Sequence, residues 1–210
     1  MIGINPVRAH RWPALTLLLG VTMFCPALFA DYTKALYAYN HYNYDTARKE
    51  FTLVAMNGHK DAQFYLGEIY EGGVGVPADY ERAFDWYAQA AQQQHARAQS
   101  RLATLYLTGR GVEQDNTDAF DWYLRSAENG YPLAQYEVGM MYSRGQGVPL
   151  NKIKAYKWLT IAASYGDPEA MAVRGRVSGD MSLTDIAVAT RMASDWESNR
   201  EQKLQAIKFR

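Results

Sequence analysis

Cysteine is almost missing from this chain: Cys25 is the only one in 210 residues. No disulfide framework can form, and from Asp31 onward there is no thiol to oxidise or to act as a nucleophile. Histidine is sparse as well. His41, His59 and His95 show no metal-ligand spacing, so neither a metal site nor a cofactor is expected. Net charge is missing: 22 Lys and Arg stand against 22 Asp and Glu, which excludes a bulk pull toward nucleic acid or an acidic membrane. Aromatic residues do not interleave with a basic stripe, as base stacking on a single strand would require. There is no Gly-x-Ser-x-Gly, His-Glu-x-x-His or Ser-x-x-Lys stretch, so the hydrolase chemistries that use them lack their usual signature.

What is present is apolar, aromatic and periodic. Hydrophobic residues make up 48% of the chain and tyrosine alone contributes 16, enough for a packed core and too apolar for disorder. Tyr106, Gly109, Gly111, Val112, Asp115, Ala119, Trp122 and Tyr123 recur 36 residues earlier as Tyr70, Gly73, Gly75, Val76, Asp79, Ala83, Trp86 and Tyr87. They recur 36 residues later as Tyr142, Gly145, Gly147, Val148, Asn151, Ala155, Trp158 and Leu159. An ungapped period of this length, built of two amphipathic segments, is the signature of a stacked-helix solenoid.

Each unit reads the same way. Ala62, Leu66, Gly67 and Tyr70 share a helical face, and Gly73 can take the left-handed conformation that ends a helix. Gly73, Val74 and Gly75 resemble a phosphate loop, but they follow a helix, lack the Lys-Ser/Thr pair and recur, so they read as a turn. Asp79 then caps a second helix, with Ala83, Trp86, Tyr87, Ala90 and Ala91 as its inward stripe. Each buried ring in that stripe represents a gross gain of roughly 4 to 6 kcal/mol, from about 25 cal/mol per Å² over 150 to 250 Å². His59 and His95 fall at equivalent turn positions, matched by Tyr131 and Asp167.

The two ends differ. Residues 1–30 carry Arg8, His10 and Arg11 ahead of an apolar run from Trp12 to Phe24, then Pro26 and the small Ala30. This reads as a secretory signal peptide cut after Ala30, with an uncleaved inner-membrane anchor as the alternative. Phe24 before Cys25 argues against lipidation. Next come a Tyr-rich helix from Asp31 and a second helix with Ala47, Phe51, Leu53, Val54 and Ala55, capped by Asn43. At the other end Gly175, Ser178 and Gly179 break the chain before a closing helix with Ile186, Ala189, Ala193 and Trp196 on one face. The expected division is a leader over 1–30, a capping helix pair over 31–61, repeats over 62–166, and a partial repeat with closing helix over 167–210.

Ala-x-x-x-Leu-Gly-x-x-Tyr, Gly-x-Gly-Val, an Asp or Asn, Ala-x-x-Trp-Tyr and Ala-Ala together resemble the Sel1-like repeat, a relative of the tetratricopeptide repeat, from about Asn43 to Ala170. The resemblance implies an all-α, right-handed α-solenoid of antiparallel helix pairs with capping helices at both ends. It also implies a concave face that binds a partner protein or peptide. By analogy with tetratricopeptide helices, that groove is lined by Phe64, Glu68 and Glu71, then Ser100, Thr104 and Leu107, then Tyr136, Met140 and Ser143, with Arg144 at the rim. Phe64 and Tyr136 could equally pack between helices. The mixture suits a peptide offering apolar anchors and a Lys or Arg.

The function expected is a non-enzymatic, monomeric interaction module in the bacterial periplasm, an adaptor or regulator. Two alternatives are an immunity protein neutralising a toxin and a hydrolase acting on cell-wall material or β-lactams. The cysteine pairs of relatives linked to β-lactams are absent here. Glu68 and Glu71, three apart on one helix, are the only carboxylate pair the hydrolase reading can use.

Overall fold

A computed structural model describes residues 26–208 of the chain. The leader read over 1–30 lies outside these residues except for its last five positions, which belong to the first helix. Among the described residues ten helices follow one another: α1 (Pro26–Asn40), α2 (Tyr44–Met56), α3 (Lys60–Gly72), α4 (Tyr80–Gln92), α5 (Ala96–Thr108), α6 (Asn116–Glu128), α7 (Pro132–Arg144), α8 (Lys152–Ser164), α9 (Pro168–Ser178) and α10 (Leu183–Lys208). Among the described residues there is no strand.

Helix starts follow from capping chemistry. The first amides of a helix have no internal acceptor, and a side-chain oxygen or nitrogen one residue upstream supplies it. Asn43, Asp79, Asp115 and Asn151 accept from the backbone N–H of Thr46, Arg82, Asp118 and Lys154 at 3.3, 3.0, 3.1 and 2.9 Å. The histidines do the same for the odd helices: Nδ1 of His59 accepts from Ala62 at 3.3 Å and Nδ1 of His95 from Ala98 at 3.0 Å. Tyr131 makes no such bond, but Pro132 at the first helical position removes one of the donors. Asp167 restores the cap for α9.

Packing is local along the array. From α1 to α9 each helix lies against the next, whereas α10 passes over α9 and turns back onto α8. Alanines let the helices approach: Ala83, Ala90, Ala98, Ala119, Ala127, Ala134 and Ala155 are completely buried. Tyr87, Tyr123 and Leu159 fill the gaps between them, and Phe51 occupies the same register in the first pair. Of the tryptophans, Trp158 is buried against Trp196 of α10 (ring centroids 5.6 Å), whereas Trp86 and Trp122 are half-buried at the edge of the core. Arg125 covers the Trp122 ring at 4.6 Å. Two expectations are corrected. Leu53 is 58% exposed, outside the stripe formed by Phe51 and Val54, and Gly175 lies within α9, which runs to Ser178 with Gly179 as its C-cap.

A glutamine ladder ties successive pairs together. Gln63, Gln99 and Gln135 are buried, and their amides donate to the carbonyls of Ala55, Ala91 and Ala127 at the end of the preceding helix. The oxygen of Gln63 accepts from Gln93 at 2.7 Å, and that of Gln99 from Asn129 at 2.8 Å. The next residue in this register is Tyr165, which carries no amide, and Gln135 Oε1 has no partner among the described residues. The turns add a second lock. Gly147 has φ +69°, and a Cβ there would run into the carbonyl oxygen of Asn116 at the start of α6, one unit back.

Candidate functional site

Side chains from α3, α5, α7 and α9 meet along one face of the array. Arg97 of α5 reaches Glu68 of α3, Arg101 reaches Glu68 and Glu71, and Tyr136 of α7 donates to Glu169 of α9 at 2.9 Å. Both odd and even helices contribute rings to the shared core, Tyr106 and Tyr142 as well as Tyr87 and Tyr123, while the polar contacts between successive odd helices lie along this face.

The ten residues expected to line a groove sort by depth. Phe64, Ser100 and Tyr136 share one register, and they are only 1%, 3% and 9% exposed despite their different chemistry. Met140 is also 9% exposed. These four lie under the face rather than on it. Their register is the side of each odd helix that its neighbours cover: Phe64 stacks on the His95 ring at 4.7 Å, with the Arg97 guanidinium 4.4 Å from its centroid. Glu68, Glu71, Thr104, Leu107 and Ser143 are half-buried, and Arg144 is exposed at the end of α7.

The accessible stripe is turned about 60° around the helix axis from that expectation, at 100° per residue. It runs through Asp61, Tyr65 and Glu68 on α3, Arg97, Arg101 and Thr104 on α5, and Leu133 and Glu137 on α7. Only Glu68 and Thr104 belong to the expected set; Asp61, Tyr65, Arg97, Arg101, Leu133 and Glu137 do not. The sequence did hold a signal: two arginines at i, i+4 on one helix match the acidic pair at i, i+3 on the helix before it.

Charge on this face is held in a network. The Tyr39 hydroxyl donates to Glu68, and the Tyr87 hydroxyl donates to Glu71 Oε2 at 2.7 Å. Burial pushes the Glu68 carboxyl above the usual carboxylate range, with Arg97 and Arg101 opposing the shift. Burial also holds the Tyr39 hydroxyl up at about 12 and raises Tyr87 well beyond its ordinary value. Further along, Glu137 is raised by burial, opposed by Arg144. The acids of α3 are therefore engaged by two arginines and two tyrosines and do not stand as a free carboxylate pair. His95 bridges the units: its Nδ1 caps α5 and its Nε2 lies 3.1 Å from Asp61, whose carboxyl is held below its usual range by that bond.

Among the described residues no three His, Cys, Asp or Glu side chains are placed to hold a metal ion, and no helix is long and apolar enough to cross a membrane. A hollow of ≈ 430 Å³ opens elsewhere, between the ends of α4 and α6, where Gln94, Trp122, Arg125 and Asn129 line it.

An array of helix pairs with a repeated core and a variable polar face is a solenoid framework of the kind used for protein–protein interaction. The Sel1 repeat matches over residues 60–95, 96–131 and 132–167, and the chain belongs to that family. It is similar to a Sel1 repeat protein from Oxalobacter formigenes, with 32% identity, a TM-score of 0.65, and coverage of 71% of this chain and 45% of that one. It also shares its fold with a protective antigen present in uropathogenic Escherichia coli strains, described as displaying an SLR fold: 22% identity, TM-score 0.51, 84% of this chain and 48% of that one. This chain thus spans less than half the length of either protein. No curated protein matches it.

Proposed function

We propose that the chain is a non-enzymatic adaptor or regulator of the bacterial cell envelope that holds a segment of a partner protein along the concave, odd-helix face. The observation that carries this reading is the contrast between rows. Ala62, Ala98 and Ala134 repeat unchanged and are fully buried, while Asp61, Arg97 and Leu133 beside them differ in every unit and reach the surface. A frame that keeps its core and varies its face is built for recognition. The leader read over 1–30 supports the envelope location, and the mass of the exported protein tests it.

The face is tested by partner capture from the native host with Leu133→Glu plus Arg144→Glu, against Leu150→Glu as control. Leu150 is 58% exposed in the α7–α8 turn, comparable to Leu133 at 52%. The double variant is expected to lose the captured partner while the control keeps it, with both retaining native helix content by circular dichroism. Equal capture by all three removes the face from the reading.

A further inference from the structure

The odd-helix face carries a depression of ≈ 80 Å³ between α5 and the start of α7, lined by Arg97, Ser100, Arg101, Thr104, Tyr131 and Leu133. Its polar lining is dominated by donors. Arg97 and Arg101 are 51% and 47% exposed, while Glu68 and Glu71, which face them, lie deeper at 16% and 21%. The ion pairs are long: Arg97 Nη2 is 3.4 Å from Glu68, Arg101 Nη2 3.9 Å from the same oxygen, and Arg101 Nε 4.0 Å from Glu71. Each guanidinium has five N–H donors in a fork that fits a carboxylate, so these contacts leave most of them free.

Ser100 supplies an independent indication. It is 3% exposed and lines the depression, where its hydroxyl can turn toward an incoming acceptor. The neighbouring Thr104 hydroxyl, by contrast, is engaged by the Ser100 carbonyl at 3.0 Å and the Tyr123 hydroxyl at 2.9 Å. A hydroxyl on the wall of the depression can donate to an anion seated there, adding a third donor to the two guanidiniums. The space is that of roughly two or three waters, enough for a carboxylate and too small for a ring.

We infer that this depression takes the side-chain carboxylate of an Asp or Glu carried by the partner segment. The inference rests on the odd-helix face being the partner-binding surface, and it reverses the charge expected of the partner there. Glu68 and Glu71 invited a Lys or Arg, but with the acids lying deeper, two guanidiniums and a hydroxyl present themselves. The depression sits midway along the face, with α3 on one side and α7 on the other. A segment can therefore run past it in both directions, which favours an internal side chain over a chain terminus.

The test is a titration of isotope-labelled protein with acetyl-Ala-Glu-Ala-amide, with its Gln counterpart, and with acetyl-Ala-Ala-Ala bearing a free carboxyl terminus. The Nε–H resonances of Arg97, Arg101, Arg82 and Arg110 are followed. The Glu peptide is expected to move Arg97 and Arg101 alone, saturating in the millimolar range and about tenfold more tightly than the Gln peptide. Arg101→Gln abolishes the response, and Ser100→Ala, which leaves both guanidiniums and the fold in place, weakens it about three- to tenfold. Any of four results overturns the inference: equal titration by Glu and Gln peptides, preference for the free terminus, equal shifts at Arg82 and Arg110, or an unchanged response in Ser100→Ala. If the Glu peptide fails while Leu133→Glu plus Arg144→Glu still loses the partner, the carboxylate site falls and the binding face stands. If the peptide binds but the double variant keeps the partner, the reverse holds.

Discussion

Replacing Gly147 by alanine separates two costs that the turn between α7 and α8 combines. The first is conformational: φ is +69°, and an L-residue held in the left-handed region loses about 1 to 2 kcal/mol relative to glycine. The second is contact. The new methyl would lie against the Asn116 carbonyl group, 2.5 Å from its carbon, so the start of α6 must withdraw, at an overpacking cost of about 1 to 3 kcal/mol. Together they destabilise by about 2 to 5 kcal/mol. Gly166→Ala provides the comparison, because φ is +85° there and nothing lies within 4 Å of the added atom. Urea unfolding followed by far-UV circular dichroism reads the difference. With a slope of about 2 kcal/mol per molar, the Gly147→Ala midpoint should fall about 0.5 to 1.5 M below that of Gly166→Ala. Equal midpoints would refute the claim that the turn glycine locks one unit to the next.

The glutamine ladder makes a second comparison. Gln99→Leu removes two bonds, to the Ala91 carbonyl and from the Asn129 amide, whereas Gln135→Leu removes only the bond to the Ala127 carbonyl together with an oxygen that already lacks a partner; both carbonyls keep a backbone donor, and the first should cost about 1 kcal/mol beyond the second in urea melts. Gln94 has φ +61° in the register that Gly58, Gly130 and Gly166 occupy, so Gln94→Gly should raise stability by about 1 kcal/mol, and a lower melting temperature would contradict this. Glu137 titrates above its unfolded value because of burial, so the native state holds its proton to higher pH; the stability this contributes is complete below the unfolded pKa and is lost as pH rises through the folded one. Glu137→Gln should flatten the stability profile just above pH 4, and an unchanged slope would dismiss the assignment.

The period of 36 residues made the helix pairs, their caps at Asp79, Asp115 and Asn151, and the alanine–aromatic core readable before any coordinates. The cap role of His59 and His95 was half visible, as a recurring turn position whose hydrogen bond was not specified. The surface was harder to read. A repeat identifies equivalent positions but not how far each helix is rolled toward its neighbours, and an odd helix here is covered on two sides. Phe64, Ser100 and Tyr136 sink together for that reason, while Arg97 and Arg101 rise. Side-chain chemistry at a single position carries no information about this roll. Opposite charges on adjacent odd helices do, since Glu68 and Glu71 can meet Arg97 and Arg101 only along a shared surface.

The unpartnered oxygen of Gln135 marks where the series ends. Duplicating residues 96–131 in frame, directly before Pro132, would give the added copy its own glutamine and its own asparagine, and would leave the closing helix and the orphaned oxygen where they are. Such an insertion lengthens the odd-helix face by one row and leaves α1 and α10 as they are, so the length of that face can change by whole units, separately from the helices that close the two ends.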